Sequence, residues 1–307
     1  MRTRTFTFTV MLASLILALF PQVSEAFSFS PDRMFVEVSP GHEQRMMFTI
    51  QNETKSATRA HVVVQAFMKS GETGKPLFTD EKLVTSIEPF VILSANDIAL
   101  KAGESRPYAF TMKVPKTATP GSYFGAIHIA IGSVEGGNTA VAVTGPLVFL
   151  TIPGSVAGAA SIAISSVSLP TGTLTALPDG FGVTIRNDGS LVEVPTGTVR
   201  IRNFVGGITR EYSLNEAGAA LLPGDERSFQ IGESVVSDAS FMNDLTNFGL
   251  GPYSVDVHVD AEHVATVEMK GKTFWILPWR VLGAAAVFSL LAAMILAFVF
   301  PRRQTSV

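Results

Sequence analysis

Two stretches, TPGSYFGAIHIAI (Thr119–Ile131) and GLGPYSVDVHVD (Gly249–Asp260), decide how this chain of 307 residues is read. Each opens on a Gly- and Pro-containing turn signal, centred on Gly121 or Gly251, and runs into a segment of two-residue period. Tyr253, Val255, Val257 and Val259 alternate with Ser254, Asp256, His258 and Asp260, the pattern of a strand with one buried and one wet face. The correspondence continues upstream of both stretches. MMFTIQNETK, ending at Lys55, matches GVTIRNDGS (Gly182–Ser190) through Asn52 and Asn187, and LKAGESRPYAFTM (Leu100–Met112) matches LLPGDERSFQI (Leu221–Ile231) through Gly103 and Gly224. Three blocks in one order at nearly one separation imply a duplicated module.

The module is all-β. In its first block Met46, Phe48 and Ile50 alternate with Met47 and Thr49, and turn signals such as SPG, KSGETGKP, EGGN, PDG, NDG and LPGDE recur with no amphipathic helix between them. Short antiparallel strands so punctuated predict two tandem immunoglobulin-like β-sandwiches followed by one C-terminal transmembrane helix. A barrel is the alternative architecture, although neither half shows the even hairpin spacing of a meander. The predicted boundary lies in the Gly-, Ala- and Ser-rich stretch TIPGSVAGA (Thr151–Ala159), giving sandwiches over 27–155 and 156–272.

The two ends place the chain. Arg2 and Arg4 precede an apolar stretch from Val10 to Phe20, and Ser24 and Ala26 stand at the small-residue positions of a signal-peptidase site, so residues 1–26 read as a signal peptide cleaved after Ala26. At the other end every residue from Val281 to Phe300 is apolar, Gly or Ser, enough helix to cross a hydrocarbon core of about 30 Å. A transmembrane helix is expected over 276–300 and a cytoplasmic tail over 301–307, because Arg302 and Arg303 are held inside while Trp275 and Trp279 suit the outer interface. A sortase signal also ends in an apolar run and basic residues, but LPWRV (Leu277–Val281) lacks the Thr-Gly that such cleavage uses. The expected location is the cell membrane, single-pass, with the N-terminus at the cell surface or in the periplasm.

Composition narrows the function. With 23 basic against 26 acidic residues and a net charge of −3, the chain offers no electrostatic footprint for nucleic acid. It has no cysteine, so the exported part relies on apolar burial and not on disulfides. Its histidines are His42, His61, His128, His258 and His263, and the sequence contains no G-x-S-x-G, H-E-x-x-H or P-loop. Asp256, His258, Asp260 and Glu262 could mimic metal ligands, yet alternate strand residues lie about 6.6 Å apart in a row and converge poorly on one ion. The chain is therefore read as a non-enzyme with no cofactor and no metal. Asn52-Glu53-Thr54 matches a glycosylation sequon, although an Asn leading a turn accounts for it.

The order FSFSPDRMFVEVSPG, FTIQNETK, LKAGESRPYAFTMKVP, TPGSYFGAIHIAI, AVAVTGPLVFLTIPG, a second sandwich and a FWILPWR anchor with a basic tail resembles the membrane-anchored WxL-interacting proteins of bacterial cell surfaces. That resemblance implies a peptidoglycan-binding immunoglobulin-like domain, a second, host-contacting one and a C-terminal helix. The first half also resembles the amino-terminal domain of periplasmic pilus chaperones, which lend an edge strand to exported subunits and clamp a subunit carboxylate with two basic residues. Phe35 or Val36 falls at the first clamp position and TGPLVFLTIPG (Thr144–Gly154) supplies no basic residue, so Arg33 is the nearest substitute for a carboxylate contact; a solvated charge at a strand start accounts for it better.

Gly145 and Pro146 interrupt an otherwise β-branched strand, and Pro is tolerated mainly at sheet edges or bulges. The candidate partner-binding edge is accordingly Thr144, Gly145, Pro146, Leu147, Val148 and Leu150, with a strand bending between the two sheets as the rival explanation. The expected function is a non-enzymatic, membrane-anchored scaffold that contacts peptidoglycan or exported protein partners through its sandwich surfaces. A chaperone donating an edge strand to exported subunits is the alternative.

Overall fold

The computed structural model describes residues 27–70, 75–132, 141–154, 160–169, 173–232 and 240–299. The expected signal peptide, the basic tail and the boundary at 155–156 lie outside the described residues. The chain groups into two compact units. One holds residues up to Ala66 with Asp80–Ala118 and Tyr123–Leu150; the other holds Phe67–Thr79, Thr119–Ser122 and everything from Thr151.

The first sandwich contains β1 (Phe27–Ser30), β2 (Arg33–Glu37), β3 (Glu43–Asn52), β4 (Thr58–Ser70), β5 (Lys75–Thr79), β6 (Val91–Leu93), β7 (Asp97–Leu100), β8 (Ser105–Lys113), β9 (Gly121–Gly132) and β10 (Val141–Ile152). One sheet runs β1-β3-β8-β6; the other runs β2-β10-β9-β4-β5, with β7 also pairing β4. The alternation read in the sequence sets the inner faces: Phe48 and Ile50 of β3, Phe110 and Met112 of β8 and Ile127 and Ile129 of β9 are all buried. The Phe48 ring packs against Tyr108 and Phe110 at centroid distances of 5.4 and 6.3 Å. Each such side chain contributes about 1.5–3 kcal/mol by leaving water.

The second sandwich contains β11 (Ile162–Ser168), β12 (Gly180–Asn187), β13 (Thr196–Asn203), β14 (Ile208–Leu214), β15 (Glu226–Gly232), β16 (Gly251–Ala261) and β17 (Val264–Ile276). Its sheets run β11-β12-β15 and β14-β13-β16-β17. Phe181, Val183 and Ile185 face Val199, Ile201, Val255, Val257 and Val259 across the core. Among the described residues the α-helices are α1 (Phe241–Thr246) and α2 (Trp279–Val299), and a single 3-10 turn spans Glu88–Phe90. The strand-and-turn pattern of the sequence predicts no amphipathic helix between the strands. α1 escapes it because six residues are too few to show a period, although Ser240 caps its N-terminus by accepting from Asn243 N–H. The apolar α2 has 21 residues, long and apolar enough to cross a membrane. It begins later than position 276 because β17 continues through Ile276 and Pro278 separates strand from helix.

The repeat is physical as well as sequential. Asn52 and Asn187 each end the first strand of the matching pair and are fully buried. Asn52 donates Nδ2–H to the carbonyls of Ser56 and Lys101, both at 2.9 Å, and its Oδ1 accepts from Thr54 N–H. Asn187 donates to Leu191 at 2.7 Å and Leu221 at 2.9 Å, and accepts from Gly189 N–H. In both sandwiches one amide ties its own turn to the loop at Gly103 or Gly224, whose φ values of 68° and 69° require glycine. Asn52 has no amide hydrogen left to offer a glycan, which settles the sequon in favour of the turn.

Candidate partner-binding strand

β10 is the strand to which the sequence assigned a binding edge. It has neighbours on both sides, β9 and β2. On the β9 side the approach is close: a Cβ added to Gly145 would lie 2.1 Å from the Ile127 carbonyl oxygen, so only glycine fits there. On the β2 side Leu147 N–H donates to Asp32 O at 2.9 Å, and Phe149 stacks on Phe35 with centroids 4.8 Å apart and rings 12° from parallel. Residue numbers rise together along these two contacts, so β2 runs beside β10 in the same direction from Leu147 onward.

This corrects half of the expected site. Val148 and Leu150 are completely buried core residues, and Leu147 is hydrogen-bonded to β2, so none of the three belongs to a free edge. The physical reason is that β2, far upstream in sequence, covers the second half of β10 and turns Val148 and Leu150 into the sandwich. Gly145 and Pro146 are also buried, and Thr144 lies in the first half of the strand. That half differs from the second. β10 has 12 residues and β2 only 5, so β2 cannot accompany Val141–Pro146 while it pairs from Leu147.

Arg33 opens β2 beside this strand, but its Nε lies 3.4 Å from Asp32 Oδ2, a carboxylate already supplied by its own neighbour. The polar face of β16 is likewise engaged within the protein. Arg202 Nε donates to Asp256 Oδ2 at 2.8 Å, and His258 sits 3.2 Å from Glu268 and 3.3 Å from Asp260. Among the described residues no three His, Asp or Glu side chains gather as metal ligands would. His61 pairs with Asp97 at 3.0 Å on the surface. Partial burial pushes the His128 imidazole below its ordinary value, the direction expected of a strand residue that loses water.

Two features escaped the sequence reading. Glu193 is a buried carboxyl facing His263 Nδ1 at 3.2 Å. Asp244 of α1 is also buried, accepting from Thr175 Oγ1 at 2.6 Å and facing Arg280 Nη1 of α2 at 3.5 Å. Both partners lie far apart in sequence and no local signal marks them.

No protein-family model matches this chain, and no curated protein matches it. Solved structures do. A protein of unknown function from Porphyromonas gingivalis W83 is 18% identical, with 80% of this chain and 97% of that one covered and a TM-score of 0.32. The class 5 fimbriae chaperone CfaA is 10% identical, with 82% and 100% covered and a TM-score of 0.38. The CsuC–CsuE chaperone–tip adhesion subunit pre-assembly complex of Acinetobacter baumannii gives 13% identity, 79% and 97% coverage and a TM-score of 0.38. The matches thus include chaperones of pilus assembly. Identities and scores this low transfer no function.

Proposed function

We propose that this chain is a non-enzymatic binding protein of the extracytoplasmic side, held to the membrane by α2, and that it receives an exported protein by strand addition at the first half of β10. The observation that carries the reading is the mismatch between 12-residue β10 and 5-residue β2. A strand that outruns its neighbour leaves main-chain N–H and C=O groups along the overhang, and an extended segment of a partner can pair with them. Main-chain bonds supply the affinity in that mode, and pockets for alternate side chains supply the selection. This favours an assembly chaperone for exported subunits over a cell-wall scaffold. Arg33, engaged by Asp32, is not assigned a subunit carboxylate.

A photo-crosslinking amino acid at Val143 or Thr144 in the full chain, expressed in cells, tests the proposal. Adducts with an exported protein are expected from both positions and not from Val84, which is 93% exposed in the same sandwich. Equal adducts at Val84, or none at Val143 and Thr144, would sink the strand-addition reading. Cosedimentation of the detergent-purified chain with isolated peptidoglycan, unaffected by substitution at 143, would move the function to the polymer.

A further inference from the structure

The end of the second sandwich from which α2 emerges is built differently from the rest of its surface. Asn203, Tyr253 and Phe274 form one row across β13, β16 and β17, and Gly251 and Ile276 pair just beyond it. The β13–β14 turn therefore projects at the same end as the start of α2. Phe204 in that turn is 71% exposed, Val205 is 73% exposed, and the Phe204 ring comes within 3.9 Å of where a Gly251 Cβ would be. α1 lies at this end too, since Asn247 carbonyl accepts from Leu177 N–H and Gly249 abuts Ile276.

α1 has its amphipathicity inverted. Its buried residue is Asp244, while Met242 and Leu245 are 65% and 50% exposed. A helix packed on a sandwich in water normally shows the opposite. Trp275 and Trp279 stand outward at 61% and 60% exposure, one on each side of the Leu277–Pro278 joint. The joint itself is fixed: Leu174 accepts from Leu277 N–H at 2.8 Å and donates to Trp275 O at 3.1 Å, and Arg280 is tied to Asp244. α2 thus leaves the sandwich from a held strand end, at the end that also carries the exposed apolar side chains of the β13–β14 turn and α1.

We infer that this end of the second sandwich is a lipid-docking surface, with Phe204, Val205, Met242, Leu245, Trp275 and Trp279 seated in the headgroup and upper acyl layer of the bilayer that α2 crosses. The inference rests on the proposed anchoring by α2. Continuity selects the occupant: the patch lies at the end of the sandwich from which α2 enters the bilayer, so lipid is beside it when α2 is inserted. Trp at the boundary and aliphatic or Phe side chains just below it are the composition of interfacial segments, and contiguous apolar surface of this kind is rarely left to water. Asp244 removes the obstacle that a cation at this depth would present, since it neutralises Arg280 within the protein.

The absence of native cysteine permits a direct test. Single cysteines at Val205 and Met242, at Glu262 in the β16–β17 turn of the opposite end, and at Leu291 in α2 are labelled with bimane in the full chain, reconstituted into phosphatidylcholine–phosphatidylglycerol vesicles. Quenching is measured with brominated phosphatidylcholine from the lipid phase and with iodide from water. At 205 and 242 bromolipid quenching severalfold above that at 262, with iodide quenching severalfold below it, is expected. A Leu291 label that bromolipid does not quench would overturn anchoring itself. If 291 is quenched but 205 and 242 behave like 262, anchoring stands and lipid docking falls. Labels at 205 and 242 shielded from iodide without bromolipid quenching would show that protein, such as a second copy of the chain, covers the patch, and would equally overturn the inference.

Discussion

Glu193 illustrates what one buried carboxyl does to this protein. Oε1 faces His263 Nδ1 at 3.2 Å, and Oε2 has no hydrogen-bond partner among the described residues. Loss of water pushes the Glu193 pKa above its ordinary 4.5, and the attraction of His263 opposes this without cancelling it. A carboxyl whose folded pKa is raised keeps its proton in the native state at a pH where the unfolded chain has released it. Its stabilising share is complete below pH 4.5 and is lost as the pH rises through the raised value. The urea midpoint of the second sandwich is therefore expected to carry a downward contribution as pH rises past 4.5. Glu193→Gln should flatten that decline; a decline unchanged in the variant would assign it to other groups. Asn52 and Asn187 are the contrasting case, because the sequence exposed them through repetition. A buried amide that ties two turns must recur wherever the module recurs, whereas Glu193 and His263 meet only through tertiary packing.

At the scale of elements, periodicity identifies strands and leaves their neighbours open. β16 was legible because its apolar residues alternate over its whole length, and the fold of both sandwiches follows from such segments. β10 was legible as a strand but misplaced in its second half, since the pairing with β2 spans most of the first sandwich and leaves no mark near residue 147. Gly145 and Pro146 were read as signs of an edge; the structure assigns the glycine to close contact with β9. Gly145→Ala is expected to destabilise the first sandwich by more than the usual effect of about 1 kcal/mol, because the new Cβ would meet the Ile127 carbonyl backbone. Leu150→Ala should cost about 2–5 kcal/mol, as for other fully buried leucines. Both are measured by denaturant unfolding of the detergent-solubilised chain. A near-neutral Leu150→Ala would return that side chain to the surface and restore the longer edge. α1 stayed invisible because its six residues are too few to display a helical period.

At the scale of the whole molecule the question is which side of the membrane the sandwiches occupy. The basic residues around α2 do not settle it by counting, since Lys270 and Lys272 precede it, Arg280 stands in its first turn, and Arg302 and Arg303 follow. Arg280 is neutralised by buried Asp244, and Lys270 is paired with Glu268, which lowers its weight. The proposed export rests instead on the amino-terminal apolar stretch behind Arg2 and Arg4, which reads as a signal segment that would direct the chain outward, since long domains translocate largely regardless of their charge. In the proposed topology α2 would then stop transfer, since its 21 helical residues at about 1.5 Å each are long enough for a hydrocarbon core of about 30 Å. Protease added to intact spheroplasts should therefore digest both sandwiches and leave a small protected fragment that contains α2 and the basic tail, detectable by an epitope fused after Val307. Lysis should then expose the epitope. Sandwiches that resist digestion until lysis would place them in the cytoplasm, and with them would fall the export of the chain and an exported partner for β10.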